Sequence, residues 1–317
     1  MRWARFWWLF WVTAACAQAD YPSRTVRVVV PSPPGGGTDI VARVMAHHYS
    51  KALGQSFVVE NKPGAGNMIG IEAVARSTPD GHTLLMVPAT LALNSVLYKK
   101  VPYHPIRDFA PITLAATAPL VLIVHPSLPA QTLGEFIALA KREPGKLSYG
   151  TAGIGTAPHL CMELLKSMAA IDLVHIPYKG TAPAAADVVS GQIAAMFATA
   201  LTARPMIDSG RVRALAGSGT QRVSALPNVP PVAESGVPGY AALQWYGLLA
   251  PAGTPPPIIA RLNAEALRAL KTDEMRERLA VDGAEPQGST PEEFGALIKS
   301  ELDKWTRVTR AAGIEPQ

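Results

Sequence analysis

The chain has 317 residues, 48% of them hydrophobic and 17% charged, with a formal net charge of +5. That balance describes a globular protein with no disordered tract, long enough for two lobes rather than one core. The charge is mild and no Lys/Arg-rich run accompanies it, which excludes a nucleic-acid footprint.

Arg2 and Arg5 precede an apolar run over residues 6–15, and Ala17-Gln18-Ala19 fits a small-x-small cleavage site. This predicts a secretory signal over 1–19, too short for a transmembrane anchor, with Asp20 opening the mature chain. Losing the two arginines lowers +5 by two, to +3. Lipidation of Cys16 is a minor alternative, since Thr13 suits it poorly. After cleavage only Cys161 remains, so no internal disulfide is expected. No later stretch is apolar enough to span a bilayer, so a soluble, exported mature protein is expected.

Three valines over 28–30 predict a strand, which the prolines after it stop. Gly35-Gly36-Gly37 lets a ligand approach the backbone, and Thr38 or Asp39 can cap a helix carrying Ile40, Val41, Val44 and Met45 before Gly54. A helix start presents unpaired N–H groups and a partial positive charge, so it attracts carboxylate or phosphate. An ordinary strand-to-helix loop has the same look. A strand over 57–61, a turn over 63–67, a helix over 68–76 and a strand over 83–87 follow, and Pro88-Ala89-Thr90 opens another loop.

The next strand is 120–124, ending at His125-Pro126. A second alternation then begins, with a helix over 133–142 and a strand over 147–149. The loop Gly150-Thr151-Ala152-Gly153-Ile154-Gly155-Thr156-Ala157-Pro158 opens a helix bearing Leu160, Leu164, Leu165 and Met168, a second instance of the first pattern. A weaker third instance is a strand over 173–176, Tyr178-Lys179-Gly180-Thr181 and a helix over 183–190. Strands over 192–197, 212–216 and 246–250 come next, and the chain is helical from Pro255. Thr290-Pro291-Glu292-Glu293 reads as a capping box, followed by an apolar stripe of Phe294, Leu297, Ile298, Leu302 and Trp305.

This alternation predicts an α/β fold with parallel sheets and ligand loops beyond the carboxyl ends of the strands. The simplest division crosses near 124 and returns near 245–249. It gives one lobe of 20–123 and 246–317, a second of 124–245, and a cleft between them.

Catalytic motifs fail on their spacing. The third small residue of a dinucleotide fingerprint would fall at Ile69, no Walker sequence occurs, and Ala216 and Thr220 break a nucleophile elbow around Ser218. His159 and Cys161 face different ways on a helix, and His47 and His48 lack a metal frame. Cys161 reads as a small core residue. No enzyme, cofactor or metal is expected, and an exported hydrolase ranks well below a binding protein.

The motifs Pro31-Ser32-Pro33-Pro34-Gly35-Gly36-Gly37-Thr38-Asp39, Glu60-Asn61-Lys62-Pro63-Gly64-Ala65-Gly66 and Pro79-Asp80-Gly81-His82-Thr83-Leu84-Leu85 stand in order. So do the loop after Tyr149, Pro177-Tyr178-Lys179-Gly180 and Trp245-Tyr246-Gly247-Leu248-Leu249-Ala250-Pro251-Ala252-Gly253-Thr254-Pro255. Over essentially all its mature length the chain resembles the Bug (Bordetella uptake gene) substrate-binding proteins of tripartite tricarboxylate transporters. The resemblance implies a type II-like periplasmic binding protein fold whose two lobes close on a small carboxylate. Backbone N–H groups, hydroxyls and water would hold that ligand. The residues expected at the site are Ser32, Pro33, Gly36, Gly37, Thr38, Asp39, Thr90, Thr151, Ala152, Gly153, Thr156, His159, Lys179, Gly180 and Thr199. A membrane permease would receive the ligand from a monomeric binding protein, or a sensor kinase would read the closed form instead.

Two positions depart from the family. Ser32 stands where an aromatic residue is usual, implying a wider or wetter pocket. Ala198 stands where an acidic residue is common, so no carboxylate is expected there for an amino-acid ammonium. Asp39 is expected to serve as a helix cap, which leaves non-amino carboxylates as the expected ligands.

Overall fold

Val26–Val30 forms the first strand, β1, and four of its five side chains are buried. The computed structural model describes residues 21–178, 180–280 and 283–316, so the expected signal at 1–19, Cys16 and Lys179 lie outside the described residues. After β1 come α1 (Gly37–Leu53), β2 (Phe57–Asn61), α2 (Met68–Ala75), β3 (Thr83–Pro88), α3 (Thr90–Leu97) and β4 (Phe109–Val124). Next are α4 (Leu133–Arg142), β5 (Ser148–Thr151), α5 (Ala157–Ala169), β6 (Val174–Pro177), α6 (Thr181–Val189), β7 (Ala195–Thr199), α7 (Ala200–Asp208) and β8 (Arg213–Gly217). β9 (Leu243–Pro251), α8 (Pro256–Ala269), α9 (Asp273–Ala280), β10 (Glu285–Pro286) and α10 (Pro291–Ala311) complete the chain.

The strands form a curled α/β sheet in the order β2-β1-β3-β9-β4-β7-β5-β6, with β8 and β10 pairing β4 off that path. β1 pairs both β2 and β3 in parallel, and β5 pairs both β6 and β7 in parallel. These two sets are the two lobes, joined by long antiparallel strands. β4 pairs β9 from Phe109 to Pro119, then β7 and β8 from Leu120 to Val124.

That exchange of partners falls between Pro119 and Leu120, and β9 begins at Leu243 opposite Pro119. Both lie earlier in the chain than the crossings expected near 124 and 245–249. The apolar run 120–124 is only the far end of a 16-residue strand. Pro111, Pro119 and a run of Ala and Thr hide the rest, and register shifts at Pro111/Thr113 and Leu114/Ala116 relieve the ladder there. Helices α3 and α7 were not anticipated either. Only Ala89 separates α3 from Pro88, which reads as a loop, and α7 starts straight from the end of β7 and carries Pro205 inside.

Three apolar cores hold the layers. One, with Val87, Leu122, Phe136, Leu249 and Phe294, runs through both lobes. A second lies under α1, α8 and α9, and a third under α6 and α7. α10 packs on α3, β4 and α5, so it bridges the lobes. Its start is the expected capping box: Thr290 Oγ1 accepts the Glu293 N–H at 3.1 Å, and Glu293 Oε2 accepts the Thr290 N–H at 2.8 Å. Gly247 lets the helix sit down, because a Cβ there would lie 1.9 Å from Phe294 Cζ. Among the described residues no helix is long and apolar enough to cross a membrane.

Candidate functional site

Strand directions decide which loops meet. β9 is antiparallel to both β3 and β4, so β3 runs with β4, and the carboxyl ends of β1, β2 and β3 point toward the second lobe. β7 is antiparallel to β4, so the carboxyl ends of β5, β6 and β7 point back. The loops 31–36, 62–67 and 88–90 therefore face 152–156, Tyr178, Gly180 and Thr199 across the crossing strands. The facing edges meet where a Cβ on Gly155 would lie 2.8 Å from Leu97 Cδ1. A cavity of about 210 Å³ beside that contact is lined by Gly66, Asn67, Thr90 and Asn94 from one lobe and Gly155 and Thr156 from the other.

On the first edge the loop is held from its outer side. Buried Asp39 accepts the Gly35 N–H and Arg43 Nε, each at 2.9 Å, and an amide N–H of Asn61 at 3.0 Å. Burial pushes its carboxyl up, yet the bonds from Arg43, Gly35 and Asn61 together outweigh this and hold it below the usual range. Asp39 is thus turned to the backbone as a clamp. It is not the cap residue itself, since Gly36 occupies the cap position of α1. Asn61 also donates to the Ser32 carbonyl at 3.0 Å, while Ser32 Oγ is buried without a hydrogen-bond partner. Pro33, Gly35 and Gly36 are exposed, Gly37 is half-buried and Thr38 is buried at the helix start. A Cβ on Gly35 or Gly36 would meet nothing within 4 Å, so their backbone faces open space.

Beside this loop, residues 64–67 form a left-handed run with φ of +133°, +47°, +62° and +76°. Asn94 donates to the Gly66 carbonyl at 2.8 Å, and Asn67 donates to Thr90 Oγ1 at 2.9 Å. Backbone held in this region is strained and persists where its neighbours enforce it. Asn67 and Asn94 are absent from the residues expected at the site. The place of 63–67 beyond the carboxyl end of β2 was the available signal for Asn67, whereas the Asn94 contact depends on α3.

The second edge is held from beneath. Thr151 Oγ1 lies 2.7 Å from His175 Nε2 and also bonds the Gly153 backbone, and Thr156 Oγ1 donates to the Gly153 carbonyl at 2.8 Å. The Gly155 N–H donates to His159 Nδ1 at 3.1 Å, so the neutral ring carries its proton on Nε2. His159 stacks on His175 at 4.2 Å, and His175 on Tyr149 at 4.9 Å. Tyr149 donates to Glu163, which Lys166 also reaches at 2.8 Å. Burial, then the adjacent His175, pulls the His159 pKa down to about 4, and burial lowers that of His175 as well.

His159 and Thr151 are buried and spend these groups on the loop. Ala152, Gly153 and Thr156 are half-buried on the facing edge, and Gly180 has open space where a Cβ would stand. Thr199 caps α7, its hydroxyl accepting the Thr202 N–H at 3.3 Å and donating to Thr202 Oγ1 at 3.0 Å. Ala198 is buried in β7 against β4. Cys161 is a buried core residue whose thiol is pushed up by burial to about 12. Three large apolar side chains stand about half exposed on these edges: Ile69 at 52%, Ile154 at 53% and Leu201 at 52%. Among the described residues no cluster of three His, Cys, Asp or Glu could hold a metal.

Residues 41–314 match the tripartite tricarboxylate transporter family receptor. This chain belongs to that family. It is 39% identical over 305 residues to protein BugT of Bordetella pertussis, covering 95% of this chain and 93% of that one. Among solved structures it is similar to R. palustris Rpa4515 with adipate, at 34% identity and TM-score 0.76, covering 94% of this chain and 100% of that one. It is also similar to MatC from Rhodopseudomonas palustris with bound malate, at 35% identity and TM-score 0.71, covering 91% and 99%. The family's members are periplasmic binding receptors, and the two-lobed α/β fold expected from the sequence is theirs.

Proposed function

We propose that this protein captures a small non-amino carboxylate with an apolar body and hands it to a membrane permease. The export signal would be residues 1–19 and the mature protein a monomer. The observation that carries the reading is the pairing of the two edges. Backbone at Gly36 and Gly180 lies open beside the starts of α1 and α6, while Ile69, Ile154 and Leu201 stand exposed around it. Open N–H groups at helix starts suit a carboxylate, and the apolar rim suits a hydrocarbon body. Relatives solved with adipate and malate add support for the acid.

In this reading Ser32, Pro33, Gly36, Gly37, Thr38, Asn67, Thr90, Ala152, Gly153, Thr156, Lys179 and Gly180 surround the ligand. Asp39, Thr151, His159 and Thr199 shape the loops from behind. The lobes would hinge where β4 changes partners at Pro119/Leu120 and where the chain returns at Leu243. Within the facing loops an ammonium finds no free carboxylate, because Asp39 is committed and Ala198 offers nothing, and the exposed Glu315 on the cavity rim is the one acid left to meet it among the described residues.

A thermal-shift panel tests this. A bound ligand at ~100 times its Kd adds about 2.7 kcal/mol, so adipate or benzoate should raise the melting temperature while aspartate and glutamate leave it unchanged. A shift with the amino acids and none with their deaminated counterparts would sink the reading.

A further inference from the structure

The facing loops do not make the whole wall of the interlobe cavity. Ile314 and Glu315, which follow α10, complete it beside Leu97, Tyr98 and Ile154. Their place is fixed by the way α10 ends. The Gly313 N–H donates to the Arg310 carbonyl at 3.2 Å and the Ile314 N–H to the Thr309 carbonyl at 2.9 Å, with Gly313 at φ +64°. Two such bonds around a left-handed glycine form a Schellman motif, which turns the chain off the helix and folds the next apolar residue back against it. Ile314 accordingly packs on the core that runs through both lobes, and Glu315 is carried to the rim of the cavity.

The charge on this wall is one-sided. Glu315 is exposed and pairs with no cation among the described residues. Arg310, one turn back, shares a neighbouring cavity between α3 and α10 with Glu315 but does not line the interlobe one. No other carboxylate and no cation lines the interlobe cavity among the described residues. Asn94 spends both amide N–H bonds, on the Gly66 carbonyl and on Tyr103, and Thr156 gives its hydroxyl hydrogen to the Gly153 carbonyl. The side-chain donors that remain, on Asn67, Thr90 and Tyr98, are neutral.

We propose that Glu315 acts as a charge filter on the cavity, so that the site prefers carboxylates with an uncharged far end over dicarboxylates. The inference rests on the carboxylate reading above, in which the acid group sits on open backbone at the helix starts and the body extends into the cavity. A second carboxylate at the far end meets a like charge and has no cation to offset its lost hydration. An uncharged end meets Leu97, Ile154 and Ile314 instead. Because Glu315 is exposed, solvent and salt screen the effect, which is a bias and not an exclusion. The same screening keeps it from offsetting the desolvation of an ammonium, so it does not invite amino acids.

Hexanoate and adipate share a carbon skeleton and differ by one carboxylate, and calorimetry on the mature protein gives the ratio of their Kd values. The wild type should bind hexanoate more tightly. Glu315→Gln keeps the shape and removes the charge, and it should narrow the gap about threefold, the size of one screened charge pair, chiefly by tightening adipate. Glu292→Gln removes an equal charge at the opposite end of α10 and should leave the ratio as in the wild type. Added salt should narrow the wild-type gap more than that of Glu315→Gln. Adipate bound by the wild type as tightly as hexanoate, a ratio unmoved in Glu315→Gln, or one moved as far by Glu292→Gln overturns the proposal. In each of these cases hexanoate binding keeps the carboxylate reading in place. Binding of neither acid overturns both.

Discussion

The loop after β1 and the loop after β5 occupy equivalent places on the two facing edges, and they are held in opposite ways. Loop 31–36 is fastened by one carboxylate, Asp39, and by close backbone packing: a Cβ on Gly70 of α2 would lie 2.8 Å from both Pro31 Cα and the Lys62 carbonyl. Loop 151–156 rests instead on a stack of rings, in which His159 Nδ1 accepts the Gly155 N–H as only an unprotonated ring nitrogen can. Presenting bare backbone to an anion leaves a loop few side chains of its own to pack. Each edge therefore borrows its rigidity from the elements behind it, the first through a carboxylate held ionised down to strong acid and the second through neutral imidazoles that protonate in milder acid. The second edge should be the pH-sensitive one.

The largest effect should come from acid. His159 is 3% exposed, with His175, Glu163 and Lys166 around it, and burial pulls its pKa down to about 4 from the ordinary 6.5. Between these values the unfolded chain binds the proton and the folded chain does not, so stability rises with pH across the window. Lowering pH from about 6.5 to about 4 should therefore cost about 3 kcal/mol from this residue, at 1.36 kcal/mol per unit. His159→Gln can still accept the Gly155 N–H but cannot titrate. Denaturant melts at pH 7 and pH 4.5 should show the wild type losing more stability than the variant. Equal losses would mean that the rings do not hold the second edge.

Next in size is a test of open backbone on the first edge. Gly36 has φ −84° and empty space at its Cβ position, so valine fits the protein but projects into the cleft. Gly36→Val should weaken ligand binding roughly 100-fold, about 2.8 kcal/mol at 1.4 per factor of ten, with an unchanged melting temperature. Gly70→Ala adds less bulk yet should lower the melting temperature, because its new methyl meets backbone. Lys179→Gln removes a charge without blocking backbone access and should weaken binding less than Gly36→Val. Calorimetry that found the opposite order for Lys179 and Gly36 would replace backbone dipoles with one cation as the source of affinity.

Much of this arrangement was legible in the residue order. Glycine loops between apolar runs and helical stripes mark both edges, because backbone exposure needs glycine locally. What stayed hidden depends on distant partners. The ring stack exists because parallel pairing sets Tyr149 beside His175, a register that no local pattern announces. The first eleven residues of β4 were masked because proline and small residues weaken a strand signal, and burial between neighbours overrides it. Asn94 carries no local signal, because its contact depends on α3 forming and packing against loop 64–67.

The smallest effect separates two roles for Asp39. As a clamp, its carboxylate accepts three donors at 2.9–3.0 Å and fixes loop 31–36. Asn at this position offers one acceptor oxygen and turns an N–H₂ toward a donor, which should cost about 1–2 kcal/mol of stability. The loosened loop would then bind every carboxylate a few-fold more weakly, leaving the order of preference among ligands unchanged. As an ammonium partner, Asp39 would instead select among ligands, and its loss would remove amino-acid binding while sparing simple acids. Measuring Asp39→Asn against adipate, benzoate and aspartate distinguishes the two. A uniform weakening fits the clamp, because a distorted cradle does not read the far end of the ligand. A selective loss of aspartate would place the charge in the cleft and break the contrast between a first edge that presents backbone and a family pattern that presents an acid.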